Sequence, residues 1–266
     1  MDALRDRKRK LKDRVTAASL AGDLVVMNDD IAEILMAILR SPDEPAELRA
    51  RAAISHGPAL EQCEIDGFDD ELSEPPVTEQ TFHKMQETLQ QIYNDQTAPK
   101  EVRRRALEAS VRAPQDWHED AVRAAYSSQD EEWKLTGAFA MQYVPDFEDE
   151  ILELLDSRNP DIHYEAVRAA GAKGLDAAWP HIASLLDPEE TDKDLLLAAI
   201  EAAGNIKRPA AQEALGVLLE SDDEDISEAA MDALSMAQPD FLDEEGFEDE
   251  EDDEDDEDED EDEWVH

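Results

Sequence analysis

Few side chains in this sequence are spaced for chemistry. Six histidines, His56, His83, His118, His163, His181 and His266, are scattered along the chain, and only His118-Glu119 sets a histidine directly beside a carboxylate. Neither a zinc-metallopeptidase helix, a calcium loop, a Walker loop nor a dinucleotide fingerprint occurs, so no motif places a metal or a phosphate. The single cysteine, Cys63, excludes an internal disulfide and any cysteine-based metal cage. It reads as a small buried hydrophobe rather than a nucleophile. Carboxylates number 71, so two of them will be neighbours in any fold and their pairing carries no acid–base argument. No catalytic residue and no cofactor is expected on these grounds.

Two charged features remain. Arg103, Arg104 and Arg105, with Lys100 and Arg112 nearby, form the most concentrated basic cluster outside the N-terminal segment. Such a cluster suits an acidic segment of a partner, or the chain's own acidic end, whose tether raises its local concentration. The other reading is internal pairing on a solvated helix, for example Arg104 with Glu108 at i,i+4. The second feature is the C-terminal run. From Asp240 to Glu263 there are 20 acids and no base, and Glu248 to Glu263 are all Asp or Glu. A segment with so little apolar area and so much like charge does not fold alone, so a disordered tail is expected. It would hold a basic partner, block the chain's own concave surface, or keep the protein in solution. Trp264, closing the run, is a candidate anchor.

The elements that must position these groups follow from composition and period. The chain has 266 residues, 41% of them apolar and 36% charged, with a formal charge of −47. Without the 20 tail acids, 51 acids still face 24 bases. A phosphate backbone asks for a positive face, so naked nucleic acid is an unlikely partner. The opening MDALRDRKRKLKDR has no apolar stretch behind it, and no 18-residue window is apolar. A soluble protein of the reducing cytoplasm, with no transmembrane segment, is expected. Oligomeric state is left open.

Residues 1–24 read as a basic arm or a capping helix, with Leu4, Leu11 and Val15 on one face. Residues 25–239 read as helices. A helix is expected to begin at Asn28 and stop at Ser41-Pro42, and another to begin near Ala46. Glu61 to Val77, with Gly67 and Pro75-Pro76, reads as an inserted loop. Beyond it a pattern recurs. Val102, Trp133, Ile162, Leu195 and Ile226 stand 31, 29, 33 and 31 residues apart. Four residues after each comes Ala106, Gly137, Ala166, Ala199 or Ala230; Leu48 and Ala52 open an earlier copy. A unit of this length holds two helices and two turns. One pair cannot bury both apolar stripes, but stacked pairs can.

Asn159-Pro160-Asp161-Ile162-His163-Tyr164-Glu165-Ala166-Val167-Arg168 and Pro99-Lys100-Glu101-Val102-Arg103-Arg104-Arg105-Ala106-Leu107 resemble short HEAT-like repeats, nearest to those of the phycobilisome-lyase type. The resemblance covers roughly residues 29–239. It implies an all-α, right-handed αα superhelix whose second helices line the concave side. On that geometry the side chains after each opening apolar residue, Arg49, Arg103, Lys134 and His163, would meet a protein partner, joined by Arg104, Arg105 and Arg112. The inner face would be basic early and neutral or acidic late. The implied function is a non-catalytic scaffold or adaptor that docks a protein segment, with a basic partner favoured by the acidic edges. The lyase-type resemblance also implies a chaperone for a chromophore-bearing or basic client. HEAT enzymes that hydroxylate a modified lysine carry several His-Glu pairs, which only His118-Glu119 imitates. HEAT-like DNA glycosylases use a basic groove with aromatic residues; Trp117, Trp133, Tyr126, Phe139 and Tyr143 supply the second but not the first.

Overall fold

The computed structural model describes residues 2–68 and 74–237. The expected tail, and with it Trp264 and His266, lies outside the described residues. Those residues contain helices and no strand. In chain order the helices are α1 (Asp2–Arg5), α2 (Leu11–Ala21), α3 (Asp29–Arg40), α4 (Ala46–Ile54), α5 (Gly57–Asp66), α6 (Glu79–Asn94), α7 (Lys100–Ser110) and α8 (Trp117–Tyr126). They continue with α9 (Glu131–Ala140), α10 (Glu148–Leu154), α11 (Pro160–Ala172), α12 (Trp179–Ser184), α13 (Lys193–Ile206), α14 (Pro209–Leu218) and α15 (Glu224–Ala237).

Pairing follows chain order: α3 with α4, α6 with α7, α8 with α9, α10 with α11, α12 with α13 and α14 with α15. The second helices then stack in a row, α4, α7, α9, α11, α13, α15, each against the next. This is a helical-repeat solenoid. Its register is set by the caps. Asp130, Asn159 and Asp192 accept backbone N–H bonds from the first turns of α9, α11 and α13, and Pro45 and Pro99 occupy the same place before α4 and α7. Asp223 precedes α15 and accepts from the Asp225 N–H at 3.1 Å.

With the cap residue as position 0, position 3 is Leu48, Val102, Trp133, Ile162, Leu195 and Ile226, the apolar series of the sequence. Position 7 is Ala52, Ala106, Gly137, Ala166, Ala199 and Ala230, and all six are buried. A larger side chain there would separate the two helices of a pair: a Cβ on Gly137 would lie 2.9 Å from the backbone nitrogen of Tyr126 on α8. Contact between successive pairs uses other residues. A Cβ on Gly171 of α11 would lie 2.6 Å from the Ala202 Cα on α13, and one on Gly204 would lie 2.8 Å from the Ala233 carbonyl on α15. Small residues thus bring the C-terminal halves of α11, α13 and α15 together.

The first residues are a docked cap. Leu4 is buried, and Arg14, 5% exposed, pairs with Glu44 at 2.6 Å and donates to the Leu4 carbonyl at 2.9 Å. The segment read as a loop from Glu61 is helical to Asp66. Pro58 suits the first turn, Ala59, Leu60 and Cys63 are buried on one face, and Gly67, at φ +67°, ends the helix. Glu61, Glu64 and Asp66, around those apolar residues, hid the period.

Candidate functional site

At 100° per residue, positions 3, 7 and 11 of a second helix share one side, and positions 2, 5 and 9 share the opposite side. Position 4 falls beside position 11, toward the first helix. The structure follows this arithmetic at Arg49 and Arg103, which turn toward their own first helices, whereas His163 lines the groove described below. Arg49 is 6% exposed, and its Nε donates to the Leu39 carbonyl at 2.9 Å. Arg103 repeats the bond, its Nε donating to the Tyr93 carbonyl at 2.8 Å. Each arginine reaches back ten residues to a carbonyl in the last turn of the first helix of its own pair, one of the groups that a helix C-terminus leaves unpaired. The Arg103 guanidinium also lies over the rings of Tyr93 and Trp133, at 5.8 and 5.5 Å. Lys134, at the same position on α9, is half-buried. His163 meets His181 of α12, with their Nε2 atoms 2.8 Å apart. Burial and the facing imidazole both hold His163 below the usual histidine range.

The rest of the arginine cluster is also engaged internally. Arg104 is 5% exposed; its Nε donates to the Thr136 hydroxyl on α9 at 2.9 Å, and that hydroxyl donates to Glu108 at 2.7 Å. The expected Arg104–Glu108 pair is present at 3.6 Å, but it is buried rather than solvated. Arg105 closes on Glu108 at 2.6 Å. Arg112 pairs with Glu61 of α5 and lies over Phe139 and Tyr143 at 5.5 and 5.4 Å. The partner-binding role expected of Arg49 and Arg104 therefore gives way to an internal one. α7 is where two apolar clusters meet, with Val102, Ala106 and Ala109 in one and Leu107 and Val111 in the other. The buried ion pairs mark that seam.

The metal reading fares similarly on geometry. His118 is fully buried, its Nδ1 accepts the Gln115 backbone N–H at 2.8 Å, and its Nε2 lies 2.9 Å from the Ser110 hydroxyl. Both ring nitrogens are thus occupied, and burial pushes the imidazole down to about 4. No group of three or more His, Cys, Asp or Glu side chains converges as a metal would need among the described residues. Burial pushes the Cys63 thiol up to about 11, which keeps it protonated and unreactive.

The open concave surface lies further along. Between α11, α13 and α15 runs a groove of about 960 Å³. Its floor includes Tyr164, Leu197, Ala198, Ala229, Ala233 and Met236. Its walls carry seven carboxylates, Asp161, Asp192, Asp194, Glu201, Asp225, Glu228 and Asp232, and no lysine or arginine lines it. Lys193, between Asp192 and Asp194 in the chain, is held by Asp223 and Asp225 at 2.8 and 2.6 Å. Lys100 makes the same clasp, to Asp130 at 2.8 Å and to Glu132, three joints earlier at the α7–α9 step. Most of these groove residues occupy positions 2, 5 and 9, together with 6, 10 and 13; the cap Asp192 and position 4 of α11, His163, also line it. Sequence reasoning expected the face to turn neutral or acidic late and chose position 4 for its contacts, of which His163 lines the groove. The signal for the true stripe was the acid at position 2 of all six helices: Glu47, Glu101, Glu132, Asp161, Asp194 and Asp225.

No family model matches this chain, and no curated protein matches it. Solved structures similar to it include human deoxyhypusine hydroxylase, at 17% identity over 89% of this chain and 93% of that one, with a TM-score of 0.40. Kap121p bound to Nup53p is similar at 14% identity over 85% of this chain and 27% of that one, with a TM-score of 0.45. A designed armadillo repeat protein is similar at 16% identity over 87% and 96%, with a TM-score of 0.35. The repeat assignment made above rests on the register within the chain. No helix among the described residues is long and apolar enough to cross a membrane.

Proposed function

We propose that this protein is a non-catalytic binding scaffold whose α11–α13–α15 groove takes a basic segment of a partner protein. One observation carries the reading: the groove joins an apolar floor to seven carboxylates with no lining base. An arginine or lysine side chain would lay its aliphatic stem on the floor and its charge against the wall. The long-range field of a −47 chain would speed the encounter. The acidic C-terminal segment extends the same charge and would attract the same partners. A reducing cytoplasmic setting suits the lone buried cysteine. The phycobilisome-lyase-type resemblance makes a chromophore-bearing client one form such a partner would take.

Affinity capture from native lysate tests this. Three baits are compared: residues 1–266, residues 1–239, and the full chain carrying Glu201→Lys, Glu228→Lys and Asp232→Lys. The expected result is a basic protein retained by the first two and lost from the third. Equal retention by the third bait would contradict the groove reading.

A further inference from the structure

The other end of the solenoid carries the complementary chemistry. Arg5, Lys8, Lys10 and Lys12 are exposed and form no ion pair, whereas Arg7 and Arg14 are taken by Glu44. On α2 the exposed residues Lys12, Thr16 and Leu20 succeed one another at i, i+4 and i+8, one line along the helix. The turn that follows the helix exposes Leu24, Val25 and Val26, and Val25 is 96% exposed. End repeats of a solenoid ordinarily present polar surface. This one presents bases at one edge and bare apolar side chains at the other. From Lys12 to Leu20 the helix runs about 12 Å. Three stacked helices at about 9 Å spacing give a groove about 20 Å across, wide enough to receive a line of about 12 Å, and the two surfaces are complementary in charge.

We infer that the groove's occupant is the α1–α2 end of a second copy of this chain, giving head-to-tail association. The inference rests on the groove reading above. The α2 line would settle on Leu197, Ala229 and Met236, with the bases of the arm against Glu201, Glu228 and Asp232. Such a contact joins two different patches, so each copy keeps one free end and further copies can add.

Sedimentation velocity on the full chain, from about 1 to 100 µM in 50 and 500 mM NaCl, tests this. The expected result is association that grows with concentration and weakens at least about tenfold in the higher salt. Lys8→Glu/Lys10→Glu/Lys12→Glu abolishes it, and so does Glu201→Lys/Glu228→Lys/Asp232→Lys. The two variants mixed should regain association, because the unaltered end of one meets the unaltered groove of the other and the two reversed surfaces are again opposite in charge. A wild-type chain that stays monomeric throughout would overturn the inference. So would association that survives the groove variant and vanishes only in residues 1–239. A labelled peptide of residues 2–26 separates the two claims. Peptide bound by the wild-type groove alongside a monomeric full chain would leave the groove reading standing and remove self-association. No peptide binding together with a monomeric chain would count against both.

Discussion

His118 is set against protonation by its two neighbours. Its Nδ1 accepts a backbone N–H, so a second ring proton would face the Gln115 donor. The folded value is near 4 against an ordinary 6.5. Between those limits the unfolded chain takes up a proton that the folded chain refuses. Stability is therefore complete above about pH 6.5 and falls as pH drops toward 4, by on the order of 3 kcal/mol for this group. His56, fully buried and also lowered, acts in the same direction. Melting followed at pH 7 and pH 5 should show a clear fall in the wild type and a smaller one in His118→Gln, whose amide can meet both partners but does not titrate. Equal falls would mean that this imidazole is not the proton-sensitive group.

At the scale of elements, stability lies in the approach of one helix to the next. Gly171→Ala sets a methyl 2.6 Å from the Ala202 Cα, where backbone must shift. A loss on the order of 2 kcal/mol is expected. Gly216 on α14 has nothing within 4 Å of its would-be Cβ, so Gly216→Ala should gain roughly 0.5–1 kcal/mol from helix propensity alone. Denaturant titration of the two variants checks both signs; a neutral Gly171→Ala would mean that α11 and α13 are not in close contact. The same elements show how much the sequence disclosed. Positions 3 and 7 were legible because they repeat with one helix face and one side-chain size. At position 4, Arg49 and Arg103 were misplaced because an arginine beside a core residue looks free until the carbonyl it reaches, ten residues back, is seen. Glu108, at i+4, was legible as a partner of Arg104, but Glu132 and Thr136 come from another helix, which no local period reports. α5 was hidden by the acids that interrupt its short apolar face.

At the scale of the whole molecule, charge is graded along the stack. The α1–α2 cap carries unpaired bases, the middle cancels its arginines internally, and the α11–α13–α15 end shows carboxylates over an apolar floor. The C-terminal segment continues that acidity. What distinguishes a groove from a generally acidic surface is dependence on position, and one titration measures it. A fluorescein-labelled peptide alternating Arg and Leu would be titrated with residues 1–239 and with the same span carrying Glu201→Lys, Glu228→Lys and Asp232→Lys, at 50 mM NaCl. Saturable anisotropy with the first and none with the second is the expected result. Equal binding to both, or binding that appears only when residues 240–266 are restored, would contradict the groove as the binding element.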